Sequence, residues 1–151
     1  MKRKGFTLVE LLIVIVIIGI LAAAMLLSSG AATASAEASN IVSDLRNMKA
    51  GALMLYADSM DEFERDTPPE LDVSLIKPYM DNPRKYTTNG DPYILTTSGG
   101  KLWVGYDLKA AGKSQGVRGK LQGRARTTGL LGERSLDAAY DGEDIVWMVA
   151  R

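Results

Sequence analysis

One stretch near the start of the chain restricts the possible folds more than any other, because it is long and apolar enough to cross a bilayer. Residues 2–27 read KRKGFTLVELLIVIVIIGILAAAMLL. After the basic residues at the start, Glu10 is the one charge before Glu37. About 20 apolar residues in a helix span the hydrocarbon of a membrane. The stretch therefore predicts a transmembrane helix whose basic end stays in the cytoplasm.

Glu10 is the residue in this stretch that needs an explanation. A charged side chain inside an apolar membrane helix costs about 2.5–3.5 kcal/mol at the bilayer centre, and such residues are functional hypotheses by default. We expect Glu10 to have a cationic partner.

Residues 4–14, KGFTLVELLIV, combine a glycine, a phenylalanine, a glutamate four positions later and an aliphatic run. This pattern resembles the leader junction and first helix of the type IV pilin family, which includes the type II secretion pseudopilins. The resemblance implies that a prepilin peptidase cuts after Gly5 and methylates the new N-terminus at Phe6. It also implies a homopolymer built by inner-membrane assembly machinery, in which Glu10 accepts the ammonium of Phe6 from a neighbouring subunit.

The resemblance implies a precursor in the bacterial inner membrane and, after assembly, a surface filament or a periplasmic pseudopilus. Two other interpretations of the N-terminus stay open. One is a cleavable secretory signal with small-residue cleavage sites within residues 32–36, although its apolar region is longer than usual. The other is a simple anchor for an exported binding domain. Neither accounts for Glu10.

Composition restricts the chemistry of the chain. It has 151 residues with no histidine and no cysteine, so the usual nucleophiles, general bases and zinc ligands are missing. No pair of carboxylates stands out for acid–base work, and we expect a non-enzymatic protein without a cofactor. Loss of residues 1–5 would leave 15 basic residues against 18 acidic ones, a mildly acidic subunit.

The apolar helix is predicted to continue as an amphipathic one. No proline interrupts residues 6–63, so we predict one long helix with a soft point at residues 28–30. The resulting division is a leader at 1–5, a transmembrane or filament-core helix at 6–30, its amphipathic continuation at 31–66, and a head at 67–151. The predicted buried stripe comprises Ile41, Leu45, Met48, Ala52, Leu55, Ser59 and Phe63.

The head is predicted to contain a small antiparallel sheet. Prolines at 68 and 69 end the helix, and turn-rich residues follow as far as 92. Alternating β-rich segments at 93–97 and 101–108 are joined by residues 98–100, and a last strand is predicted at 145–149. The fold class is α+β and pilin-like: a long helix packed on a small sheet.

Residues 109–132 are basic and rich in glycine, and we predict a loop there. Three interpretations stay open: a solvated loop, a contact with the acidic residues 58–72 of another subunit, or a nucleic-acid surface. A head-to-tail contact between opposite patches would suit a helical filament. The last interpretation lacks aromatic residues for base stacking. The candidate contact residues are Lys113, Arg118, Lys120, Arg124 and Arg126.

Near the C-terminus, Asp137, Asp141, Glu143 and Asp144 lie close together in the sequence. Carboxylate oxygens are the ligands that Ca²⁺ prefers. Pseudopilins, which the chain resembles, use calcium to hold a loop without cysteines. The spacing does not match an EF-hand, so a calcium site and an exposed acidic turn both stay open.

Overall fold

The structure, a computed structural model, describes residues 5–63, 71–86 and 92–151, with all side chains except those of 27, 28, 61 and 62. Helix α1 spans Leu8–Asp58, 51 residues, and passes through 28–30 without interruption. It ends at Ser59, whose backbone is not helical, and a single turn, α2 at Met60–Phe63, follows. The long helix is confirmed to within a few residues, while the predicted helix end at 64–66 and the turn at 89–91 lie outside the described residues.

The upper half of α1 buries one side, as its periodicity predicts. Ile41, Leu45, Met48 and Ala52 are almost completely buried against the head. Asp44 does not belong to the predicted stripe, yet it is also buried, with 6 % of its surface exposed.

A connector of two short 3₁₀ helices leads from α1 to the sheet. The first is Val73–Tyr79, and Asp72 caps it by accepting a hydrogen bond of 2.7 Å from the Ser74 N–H. The second is Pro83–Lys85. The first packs against α1 at Gly51, where an added Cβ would be in ordinary van der Waals contact, 3.5 Å from the backbone oxygen of Ile76.

The sheet has three antiparallel strands in the order β1 (Tyr93–Ser98), β2 (Lys101–Asp107) and β3 (Ile145–Val149). Glycines 99 and 100 form the turn between β1 and β2, and both have positive φ angles. Leu95, Val104 and Met148 are paired across the strands. All of them are buried in the core beneath α1.

The other face of the sheet is covered as well. Trp103 is 1 % exposed, and its indole N–H donates to the Ser98 carbonyl oxygen at 3.1 Å. The ring of Trp147 lies across Gly105, where an added Cβ would come within 2.6 Å of it. The alternation along β2 is therefore correct, although the side turned away from α1 is also buried.

Residues 115–128 correct the prediction of a loop, which is wrong for this segment. They form helix α3, Gln115–Thr128, whose buried side chains are Val117, Leu121 and Ala125. Four-residue spacing places these apolar groups on one face, against α1. Gly129 ends the helix with a φ of 72°, the left-handed conformation that glycine adopts readily.

Candidate functional site

The predicted cleavage point lies in non-helical backbone just before α1. Residues 5–7 have no regular structure, and the Phe6 side chain is 87 % exposed. A Cβ at Gly5 would meet no atom within 4 Å in the described part of the chain. Exposed segments of this kind are the preferred sites of proteolysis. The bond between Gly5 and Phe6 is thus sterically accessible from the side of the described residues.

Thr7 and Glu10 form a capping box at the start of α1. The Thr7 backbone N–H and hydroxyl both donate to Oε2 of Glu10 at 2.8 Å. The Glu10 N–H in turn donates to the Thr7 hydroxyl oxygen at 3.3 Å. This arrangement satisfies two free N–H groups and places the carboxylate at the positive end of the helix dipole.

Thr7 is a partner of Glu10 that the prediction missed. Glu10 was expected to have a partner, and only one in a neighbouring subunit was considered. The signal was available, because threonine followed three residues later by glutamate is the sequence pattern of a capping box. Oε1 of Glu10 accepts no hydrogen bond from the residues that the structure describes.

The lower half of α1 lacks any covering in the described structure. Its large apolar side chains between residues 6 and 26 are all at least 50 % exposed. In the described ranges, α1 is the one helix that is long and apolar enough to cross a membrane. This surface needs lipid or other helices around it.

Most of the predicted basic residues, on α3 and just before it, have partners within the protein. Arg124 donates to the hydroxyl oxygens of Ser39 at 2.6 Å and Ser35 at 2.8 Å, both on α1. Lys113 forms an ion pair of 2.9 Å with Glu37, and the hydrogen bond between them raises the pKa of the Lys113 ammonium. These contacts fasten α3 to α1.

Arg118 also has partners within the head, whereas two basic residues of α3 do not. Arg118 lies 2.8 Å from Asp144 and donates to the Glu143 carbonyl oxygen at 2.9 Å. Lys120 and Arg126 are exposed and have no ion pair among residues 5–63, 71–86 and 92–151. The five predicted contact residues therefore do not form one continuous free surface.

The acidic counterpart of the basic segment is described only at its two ends. Asp58 accepts a hydrogen bond of 2.7 Å from the Tyr79 hydroxyl, which raises the pKa of that tyrosine. Asp72 caps the first 3₁₀ helix, and hydrogen bonds from Ser74 lower the pKa of its carboxyl. Residues 64–70 lie outside the described part. Contact between the two patches stays a prediction.

The four candidate calcium ligands are not brought together as a ligand set. Asp144 pairs with Arg118, while Asp137, Asp141 and Glu143 have exposed side chains. In the parts of the chain that the structure describes, no three acidic residues are arranged to hold a metal ion. Calcium binding by this segment stays a prediction.

Asp44 is a second residue that the sequence did not single out. Its two carboxylate oxygens accept hydrogen bonds of 2.5 Å from the Lys85 ammonium and the Tyr93 hydroxyl. The ring of Tyr93 lies between those of Tyr86 and Tyr106, with centroids 4.7 and 5.0 Å apart. Asp44 thus joins α1, the connector and the sheet.

Comparison with known proteins bears on the N-terminus. The family model of the prokaryotic N-terminal methylation motif matches residues 1–26, which include Gly5, Phe6 and Glu10. No curated protein and no solved structure matches the chain. The exposed junction, the capping box and the apolar half of α1 all lie within or next to this motif. The chain therefore carries at its N-terminus the signature of type IV pilins and pseudopilins.

Proposed function

We propose that this protein is a structural subunit of a type IV pilus or a pilus-like filament. The precursor is anchored in the inner membrane by α1, cut after Gly5 and methylated at Phe6. The observation that carries the proposal is the contrast along α1. Its upper half is buried on the head, whereas its lower half is exposed on all sides and has one charge, at its start. Packing of lower halves against each other would cover this surface.

Glu10 is suited to receive the new N-terminus of a neighbouring subunit. Thr7 holds one carboxylate oxygen, and Oε1 is open on the side of the described residues. A free α-amine has a pKa of about 7.7–8.0 and is mostly cationic at neutral pH. An ammonium or a carboxylate left alone in an apolar core is strongly unfavourable, so pairing the two favours the assembled state.

Two substitutions separate the charge of Glu10 from its role as a helix cap. Glu10→Ala removes both, whereas Glu10→Gln keeps an oxygen that accepts from Thr7 and loses only the charge. We expect both variants to insert into the membrane and both to lower the yield of sheared filaments by about tenfold or more. A loss of about 1.4 kcal/mol in each subunit contact is sufficient for that.

The outcome for Glu10→Gln decides the role of the carboxylate. A wild-type yield of filaments from this variant would contradict the ion pair. Glu10 would then act only as a cap of α1. Membrane fractionation is the control, because a variant that fails to insert cannot test assembly.

Filaments on the cell surface distinguish a pilus from a pseudopilus, which would stay in the periplasm. Processed protein that never polymerises would favour an exported binding domain instead.

A further inference from the structure

Helix α3 lies across the lower end of the head, where α1 enters it. A Cβ on Gly116 would be 3.4 Å from that of Ala34, the first buried apolar residue of α1. Eight positions further along α3, Arg124 bonds to Ser35 and Ser39. Residues 116 and 124 of α3 both lie against residues 34–39 of α1, so the two helices cross at an angle. With the lower half of α1 in a membrane, α3 would be the part of the head beside the point where α1 leaves it.

The distance from this crossing to the membrane is short. The apolar run of α1 ends at about residue 27, and the head begins at Ala34. At 1.5 Å per residue, this helical segment is about 10 Å long. The headgroup layer on each side of the hydrocarbon is about 5–8 Å thick. The base of the head thus lies just outside the headgroup layer while α1 spans the membrane, within reach of long lysine and arginine side chains.

The charge on this side of the head is positive. Gly116, Lys120 and Arg124 are four residues apart and form one row along α3. Both ends of the row contact α1 within residues 34–39, so Lys120 lies beside α1 at the base of the head. Between residues 11 and 43, α1 carries one charged residue, Glu37, which Lys113 neutralises. The ammonium of Lys120 and the guanidinium of Arg126 have no such partner among the described residues.

We propose that the basic face of α3, defined as Lys120 and Arg126 on either side of Gly123, contacts anionic phospholipid headgroups on the membrane surface beside α1 before the subunit is extracted. Each cation near an anionic surface contributes about 1 kcal/mol, and α1 keeps the two surfaces together. The contact rests only on membrane insertion and not on filament assembly. A nucleic acid fits less well, because residues 109–132 contain no aromatic side chain for base stacking.

The absence of cysteine allows a direct test with the full chain. Gly123 lies on the exposed side of α3 with no atom within 4 Å of an added Cβ, so Gly123→Cys is a suitable labelling site. The matched site is Lys101→Cys at the far end of the sheet. There the neighbouring Leu102 N–H donates to the Arg151 carbonyl, and Arg151 lies over Tyr56 near the top of α1. Each labelled chain is inserted into vesicles that carry a headgroup-linked quencher.

We expect quenching at position 123 to rise about twofold when phosphatidylglycerol is added to phosphatidylcholine, and to fall back at high salt. The label at position 101 should not respond. Lys120→Gln together with Arg126→Gln should abolish the rise, whereas Lys101→Gln in the Gly123→Cys chain should preserve it. The same result is expected in Glu10→Ala, which separates this contact from filament assembly.

Two outcomes would overturn the proposal. The first is equal quenching at position 123 in both lipids, or a rise that survives loss of Lys120 and Arg126. The second is binding of a nucleic acid in place of phospholipid headgroups. If short duplex DNA binds the chain in phosphatidylcholine vesicles and displaces position 123 from phosphatidylglycerol, the face is a nucleic-acid surface.

Discussion

At the scale of single residues, Asp44 joins parts of the chain that are far apart in sequence. Its carboxylate accepts from Lys85 and Tyr93, which are 41 and 49 positions away. The burial of Asp44 and its bonds to Lys85 and Tyr93 show that it connects these parts. Neither the burial nor the bonds can be predicted from the residues that surround Asp44 in the sequence. Its place on α1 could be predicted from periodicity, whereas its partners depend on how the connector and the sheet pack on the helix.

Removing this carboxylate should destabilise the head. Asp44→Ala leaves the half-buried Tyr93 hydroxyl without its acceptor, and a buried unsatisfied group costs about 1–3 kcal/mol. We expect a loss of that size in the free energy of unfolding, measured by denaturant titration of the full chain in detergent. Asp81→Ala is the control, because Asp81 is exposed nearby. Equal stability of the two variants would show that the Asp44 contacts are unimportant.

Tyr140 makes the fold sensitive to alkali. Its ring is buried and its hydroxyl donates to the Glu143 carbonyl at 2.8 Å. Burial raises its pKa to about 12, and burial also raises the pKa of Tyr93. Tyrosines in the unfolded chain ionise at about pH 10. Above that pH the unfolded state releases protons that the folded state retains, so stability falls as pH rises toward 12.

The corresponding measurement is the midpoint of thermal unfolding from neutral pH to pH 11. We expect a plateau below about pH 10 and a decline above it. Tyr140→Phe should decline less steeply, because one of the responsible hydroxyls is gone. An identical slope in wild type and variant would exclude Tyr140 as a cause.

At the scale of elements, the close contact between β2 and Trp147 admits no side chain at Gly105. An added methyl would lie 2.6 Å from the indole ring, so either the ring or the strand must move. We expect Gly105→Ala to lower the free energy of unfolding by about 1–3 kcal/mol, the usual cost of overpacking.

Gly119 supplies a matched control for that substitution. It lies on the exposed side of α3, where an added Cβ meets nothing within 4 Å. Gly119→Ala should be neutral or stabilising by up to about 1 kcal/mol, because alanine favours helix over glycine. Comparable losses in both variants would mean that the Trp147 contact does not determine the effect at Gly105.

The elements also differ in how far the sequence predicts them. The long helix and all three strands follow from local periodicity, and the structure agrees with each of them. Helix α3 does not, because glycines at 116, 119 and 123 and a predominance of cations are typical of a loop. Only three of its residues are buried apolar ones, and they are buried because α3 packs against α1. Tertiary packing here overrides local propensity.

At the scale of the whole molecule, the chain is a folded head on one end of a helix whose other end is uncovered. Among the described residues, the head covers only the upper half of α1. The apolar side chains of the lower half are exposed. A membrane can surround that half in the precursor, and copies of the same helix can replace the lipid in a filament. In the proposed filament, cleavage after Gly5 would create an N-terminal ammonium that Glu10 of a neighbouring subunit could pair with, and the uncut precursor lacks that group.

The most direct test of this account is the intact mass and N-terminal sequence of the protein from sheared surface material and from membranes. We predict a chain that starts at N-methylated Phe6 and is abundant in the sheared fraction. The same N-terminus confined to membranes would restrict the proposal to a pseudopilus. A chain that still starts at Met1, or one cut near Glu37, would contradict the filament proposal.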